Sequence, residues 1–577
     1  MSTRRAPRLP RVGWETAGIL LSAAAAVVAL AHALAGAKRS LLLDDGDSVL
    51  LPLMQRSFER GEAFEWGMSP VLFVFPELPL YLTSAAVTIS VAAALLLNGV
   101  VNVVALYALL RFLAGRVLAT RSLAAPGQEG AAAGATDPRR PILAALLGVA
   151  VLVALCLLET RPGGNTLEIA SLFLTTTYYS GTVMALVATL GLVVHLAGPL
   201  DGRGRRILLP ALTIGIVAAV STLSNPLFVL WVTGPVVAAL LVLSLVRWRT
   251  RIRDPWWRPA ATALALVAGS AAGYAARQPF SGRFIIAEKD EYFRWGREDL
   301  TLSFARESLR ALVETPGGVV EALVGAALLV GSVVVAAAVV ARRSSGPMAL
   351  VALVAGATAI LLPLALLVTG SISTRYALPL LFTPLALVVA ALAVTPRPAP
   401  RPARARDRRR IAVAAPLAVL LVVAGAAVPA TAAVARAGDA VASASASGAA
   451  CLTAWTRGKH VTGVAQFWTG RRLAAYGGPS VRLLQVNSDF TVYPWLVDLA
   501  PYRDARVGYV IVATRTDAGG HLDYWGDDVT NLGTPRGIVH CDGYDIRDYR
   551  GLPASSVLTE QVDRSAAEQA ARRGFGW

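Results

Sequence analysis

The sequence predicts an all-α polytopic membrane protein of about 11 transmembrane helices, followed by a small extracytoplasmic α/β domain. Three observations predict it. Apolar residues make up 55% of the 577 positions and charged residues only 16%, against roughly 25% charged in soluble domains. Apolar runs of about 20 residues, the length that crosses a bilayer, recur over the first 435 positions. Beyond about Arg436 the composition turns to that of a soluble fold. The same figures exclude a disordered, collagenous or disulfide-dense secreted chain.

The spans fall near residues 14–36, 93–118, 142–159, 178–198, 207–224, 226–246, 259–276, 318–341, 347–369, 376–395 and 411–434. This divides the chain into a cytoplasmic segment (1–13), a membrane domain (14–434) and a soluble domain (435–577). Residues 78–92 are apolar but short and open beside Pro76 and Pro79, which predicts an interfacial or re-entrant helix. Charge orients the bundle. With the N-terminus in the cytoplasm, the cytoplasmic segments carry 26 Lys and Arg against five acidic residues, as the positive-inside rule requires. Those segments carry +21 while the whole chain carries +17, so the rest of the chain carries −4. The positive charge needs no nucleic-acid partner, and an odd number of spans leaves the C-terminal domain outside the plasma membrane. Arg4, Arg5, Arg8 and Arg11 precede an apolar run long enough to remain as a span, which predicts no cleaved signal. An external domain permits a disulfide between Cys451 and Cys541.

Chemistry concentrates in the first external loop, residues 37–92. Asp44, Asp45 and Asp47 follow the first span at the membrane–water boundary. Carboxylates held there are partly desolvated, which raises their pKa and suits a general base. A second reading makes them a polar boundary and the N-cap of the next helix. The Asp-Gly-Asp spacing also suits a divalent cation held by Asp45 and Asp47; no cofactor is otherwise indicated. The run SVLLPLMQRSFERG is amphipathic and predicts a helix along the surface. Further on, Glu77 is a single carboxylate in an apolar stretch, with Tyr81 four residues later.

The order of these elements resembles the GT-C superfamily of integral-membrane glycosyltransferases, which includes protein mannosyltransferases and the aminoarabinose transferase. In that family an acidic residue opens the first external loop, a surface helix ends near a Gly-Glu or Gly-Asp, and a PxLxYxL helix leads into the second span. Here the matching residues are Asp47, Gly61-Glu62 and Pro79-Leu80-Tyr81-Leu82. The fourteen residues from Asp47 to Gly61 favour Asp47 over Asp45 as the catalytic carboxylate the resemblance implies. Arg375-Tyr376 with Pro379 looks like the family's RYxLP element. A guanidinium at Arg375 can stabilise a lipid phosphate as the sugar leaves; an interface anchor is the plainer role. Some members of the family use a metal and many do not, and a variable external C-terminal domain is common among them.

Other loops add candidates. In 159–181, Glu159, Arg161, Asn165, Glu168, Tyr178 and Tyr179 put polar groups into an apolar run, which is costly without a purpose. Glu168, Glu77, Tyr81 and Tyr376 are the predicted substrate contacts. Thr175–Thr177 either meet sugar hydroxyls or bond back to their own helix. The loop 277–317 predicts an amphipathic helix over 299–313 and offers Arg283, Lys289 or Arg294 to a lipid phosphate; an interfacial anchor is the alternative. The five histidines show no zinc-site spacing, and no phosphate-binding glycine loop is present. In the C-terminal domain, 507–514 and 537–546 read as strands and 468–477 as a helix.

The expected function is transfer of a hexosyl or pentosyl group from a polyprenyl-phosphate donor to a cell-envelope glycan, lipid or protein acceptor. Asp47 or Asp45 deprotonates the acceptor, and the anomeric centre inverts. Two other classes fit less closely. A transporter or flippase of an envelope lipid or polysaccharide predicts ionisable residues in mid-span, and apart from histidines and Glu321 the spans hold almost none. A non-catalytic glycan-binding protein of the same fold predicts that Asp45 and Asp47 are dispensable.

Overall fold

The computed structural model describes residues 11–123, 139–163, 165–197, 205–250, 257–286, 294–395, 448–516 and 523–577. Among these, nine helices are long and apolar enough to cross a membrane: Val12–Ala35, Val91–Thr120, Arg139–Leu158, Ser180–Ala197, Val229–Arg249, Trp257–Phe280, Pro316–Ala341, Pro347–Val368 and Thr374–Val394. A shorter apolar helix, Leu208–Ser224, corresponds to a tenth expected span. The eleventh, 411–434, lies outside the described residues, as do the basic segment 396–410 and Lys289.

The helix Val91–Leu123 occupies the centre, packed by Arg11–Ala35, Arg139–Leu158, Ser180–Ala197 and Pro379–Val394. Its apolar residues run round the whole circumference, which is what a helix surrounded by other helices requires. Arg205–Ser224 and Trp257–Ala275 cross in backbone contact. A Cβ at Gly269 would lie 2.2 Å from the Gly215 carbonyl oxygen, and one at Gly273 would lie 2.1 Å from that of Ala219. Small residues four apart are how apolar helices approach closely in lipid. Gly273→Leu is therefore expected to force these helices apart; detergent-solubilised protein should lose several degrees of Tm and much of its monodisperse peak.

Between Leu158 and Ser180 the chain folds back into the end of the bundle through a short turn, Ser171–Leu174. Non-helical backbone at that depth must find partners inside the protein. Asn102, on the central helix, supplies them: its Nδ2 donates to the carbonyls of Phe173 (3.2 Å) and Thr175 (3.1 Å). Asn225 Nδ2 similarly donates to Thr182 Oγ1 at 2.8 Å. At the same end of the bundle lie the surface helix Leu50–Glu59 and the juxtamembrane helix Glu77–Ala86. The helix expected over 299–313 spans Glu298–Leu312.

The soluble domain is built on a mixed sheet. Strands β1 (Trp66–Gly67) and β4 (Val497–Asp498) form a separate antiparallel pair. The main sheet has the order β3-β2-β5-β7-β6, with β2 Thr462–Ala465, β3 Leu483–Gln485, β5 Val507–Ala513, β6 Gly537–Cys541 and β7 Tyr544–Asp548. Strands β2, β3 and β5 are parallel, and β7 runs antiparallel to both β5 and β6. The helix Pro553–Arg572 buries Leu558, Val562 and Ala566 on the side of Val510. Leu473, of helix Phe467–Tyr476, packs with Tyr509 and Ile511 on the other. The single strand expected over 537–546 is a hairpin instead. Asp542-Gly543 turns the chain with Gly543 at φ 85°, a pair that favours tight turns because glycine accepts positive φ. A disulfide joins Cys451 to Cys541, Cα–Cα 6.0 Å, tying helix Ala450–Thr456 to the outer strand β6.

The domain is fastened to the first loop, 425 residues away at one contact. Besides the β1–β4 pairing, Ser57 Oγ donates to Asp498 Oδ2, and Arg503 Nη2 reaches Glu65 Oε1 at 2.5 Å. Arg573 Nη2 donates to the Glu65 carbonyl at 2.5 Å, and Tyr476 hydroxyl donates to the Leu43 carbonyl at 2.7 Å. Soluble domain and acidic loop therefore lie at the same end of the bundle.

Candidate active site

The acidic motif forms a tight turn between the short helix Arg39–Leu43 and the surface helix. Asp45 is its anchor. Its Oδ1 accepts from the backbone N–H of Asp47 (2.9 Å) and Ser48 (3.3 Å) and from the hydroxyl of Tyr178 (3.0 Å). Burial, and then the charge of Asp47, push its pKa up to about 6, against the opposing effects of those donors and of Arg375. The side chain of Asp47 is more open, at 16% exposure, and its Oδ2 accepts from Arg375 Nη1 at 3.1 Å. The two carboxylates thus have different surroundings.

Arg375 sits on the turn Thr374–Ala377 that leads into the last described span. Its guanidinium lies over the Tyr178 ring, 4.9 Å from the centroid, and its Nε donates to Ser373 Oγ at 3.0 Å. Tyr376 stacks on Tyr179 at 6.1 Å, and Tyr179 in turn meets Phe73 at 6.2 Å and Trp231 at 5.8 Å. This aromatic floor continues the pair toward the apolar interior. The turn itself is held from outside: Thr176 Oγ1 donates to the Ser48 carbonyl (3.0 Å) and Thr177 Oγ1 to that of Asp47 (2.9 Å). Thr175 bonds back to Leu172, one of the two roles the sequence allowed, whereas Thr176 and Thr177 take neither and brace the acidic turn instead.

The soluble domain closes the other side. Arg471 Nε donates to the Gly46 carbonyl at 2.7 Å, and its Nη1 donates to the Leu496 carbonyl. Gly46 has no room for a side chain, because a Cβ there would lie 2.6 Å from the Phe467 ring. Burial pulls the Arg471 pKa down to about 10, with Asp47 and Asp45 the largest opposing charges. The guanidinium therefore stays charged at neutral pH. Nothing local in the sequence marks Arg471, since its partner lies on another domain.

The remaining predicted residues lie in other settings. Glu168 accepts from the N–H of Thr160 (2.9 Å) and Arg161 (2.8 Å) and pairs with buried Lys38 at 3.2 Å. Glu159 joins that cluster, its carboxylate accepting from Ala170 N–H at 2.6 Å, and burial raises its pKa. Glu77 is buried against Gly181, its Oε2 without a partner, and burial lifts its pKa to about 8. Tyr81, also with an unpartnered hydroxyl, lines a cleft of ≈ 380 Å³ with Arg56, Glu59 and Tyr476. Arg283 lies over Phe284 (5.7 Å) and Phe575 (4.9 Å), beside the C-terminal helix. Among the described residues no group of three or more His, Cys, Asp and Glu is arranged to hold a metal; Asp45 and Asp47 are the two carboxylates a cation at the acidic turn would use.

The pKa of Asp45 has a measurable consequence. Because its folded value of about 6 exceeds the ordinary 3.8, the folded state holds the extra proton between those values, and stability falls as pH rises through that window. Asp45→Asn keeps an amide oxygen for the three donors. Its Tm is expected to vary less between pH 4.5 and 7 than that of wild type.

No family model and no curated protein matches the chain. Among solved structures, the crystal structure of ArnT from Cupriavidus metallidurans bound to undecaprenyl phosphate is similar over 94% of this chain and 98% of that one, at 13% identity and a TM-score of 0.49.

Proposed function

We propose that the chain is a GT-C-like membrane glycosyltransferase. It takes a sugar from a polyprenyl-phosphate donor and passes it to a cell-envelope acceptor at the external face of the plasma membrane. The observation that carries this reading is the pairing of Asp47 with Arg375 at the boundary end of the bundle, 3.1 Å apart. It gives one partly open carboxylate and one guanidinium on a floor of aromatic rings. Displacement at an anomeric carbon needs a base for the incoming hydroxyl and positive charge for the departing phosphate. The acceptor hydroxyl gives its proton to Asp47 while its oxygen bonds to the anomeric carbon. The bond from that carbon to the phosphate oxygen breaks, and its electron pair leaves with the phosphate toward Arg375. The configuration inverts. Asp45, committed to three donors, holds the turn that presents Asp47. Glu77, Tyr81 and Tyr376 are the proposed sugar or acceptor contacts; Glu168, already paired with Lys38 and two backbone N–H groups, has less to support such a role.

The test is transfer of label from a mixed pool of radiolabelled polyprenyl-phosphate sugars in membranes containing wild type, Asp47→Asn or Asp45→Asn. Transfer by wild type that is lost in Asp47→Asn is expected. Equal transfer by all three would reject the base, and no transfer with any donor by folded protein would reject the activity.

A further inference from the structure

Between the surface helix Leu50–Glu59 and the soluble domain lies a cavity of ≈ 100 Å³. That is room for about three waters, or for one compact anionic group. Two buried groups in its wall lack a partner, and both are hydrogen-bond donors. Arg471 is 3% exposed, and its Nη2 has no partner even though Nε and Nη1 are bonded to carbonyls. Trp66 is also 3% exposed, and its indole N–H is unpaired. Buried donors left in this state carry their full desolvation cost. What they lack is an acceptor.

The charge of the wall specifies which kind. Arg56, Arg60, Arg471 and Arg482 face Glu62 and Asp498 across this space. Arg56 donates to the backbone carbonyls of Ala474 and Gly477, and Arg60 to that of Val481. These bonds fix the guanidiniums; Arg60 also lies 3.9 Å from Glu62. Asp498 already accepts from Ser57 and from Ala500 N–H. Asp47 and Asp45 act on Arg471 from outside this space, but the wall itself holds four cations against two anions and its two unsatisfied groups are both donors, which suits negatively charged oxygen.

We propose that this cavity is an oxyanion-binding site that holds a carboxylate or phosphoryl group, with Arg471 Nη2 and the Trp66 indole N–H donating to it. The assignment stands on cavity, donors and charge alone. Under the transferase reading, and only there, the anion is an acidic group carried by the acceptor. Arg471 would then link the acceptor to the acidic turn, because the same planar guanidinium holds the Gly46 carbonyl through Nε.

The experiment is calorimetric titration of the full-length protein in nanodiscs of zwitterionic lipid, with inorganic phosphate, glucuronate and glucose as separate probes. Saturable binding of phosphate or glucuronate is expected, with glucose at least tenfold weaker; whichever anion is tighter separates a phosphoryl from a carboxylate ligand. Trp66→Phe removes one neutral donor and should weaken the anion by roughly 3- to 10-fold. Arg471→Gln should weaken it by on the order of 10- to 100-fold. Trp66→Phe keeps the test decisive if Arg471→Gln fails to fold. The proposal is overturned if neither anion saturates wild type, if glucose binds as well as glucuronate, or if Trp66→Phe binds like wild type. Binding is read without turnover, so failure of the transferase reading would leave this result intact.

Discussion

Asp47→Asn is expected to lower sugar transfer by about 10²- to 10⁴-fold, the range general-base catalysis supplies, while the protein still inserts and folds. The amide keeps the shape of the carboxylate and an oxygen for Arg375, so the 3.1 Å contact can persist as a weaker, singly charged one. It cannot take the acceptor's proton. Asp45→Asn should cost much less, because its amide oxygen still accepts from Asp47 N–H, Ser48 N–H and Tyr178. Initial rates of label transfer by the two variants, normalised to folded protein, distinguish these roles; the reverse order of effects would move the base to Asp45.

Arg375→Gln is the second large effect, with kcat expected to fall on the order of 10²- to 10³-fold, the loss typical when charge stabilisation of a leaving oxygen is removed. The substitution also releases Asp47 Oδ2 and the face of Tyr178. Arg375→Lys restores the charge but not the planar fork, and a partial recovery is expected. A lipid donor should bind both variants nearly as well as wild type, because the isoprenoid rather than the phosphate supplies most of its apolar contact area. Steady-state rates over a range of donor concentrations separate the two terms. A rise in KM with kcat unchanged would make Arg375 an anchor rather than a stabiliser of the leaving phosphate.

The membrane architecture was legible because each span repeats one simple requirement, about 20 apolar residues, and ten of the expected spans have counterparts among the described helices. The surface helix was legible from its alternating polar and apolar faces. Cys451–Cys541 could be suggested from compartment alone, and the structure joins these two residues. The spacing to Gly61 favoured Asp47 over Asp45, but the different settings of the two carboxylates were not readable, because they depend on Tyr178 and Arg375, brought in from two distant loops. Arg471 was invisible for the same reason. Its role exists only where helix Phe467–Tyr476 meets Gly46, and no local pattern encodes a contact across 425 residues. Glu168 illustrates the opposite case: a carboxylate that looked out of place in an apolar stretch is accounted for by buried Lys38 and two backbone N–H groups.

In-line transfer from a lipid donor is tested by following both halves of the donor in one experiment. Purified protein in sealed vesicles would be given a polyprenyl-phosphate sugar labelled in the sugar, with released polyprenyl phosphate and the anomeric configuration of the product determined together. Expected are free polyprenyl phosphate in equal amount to transferred sugar, an inverted anomeric centre, and neither product with Asp47→Asn. Intact donor moved across the vesicle membrane without cleavage, or a product that retains its configuration, would contradict it.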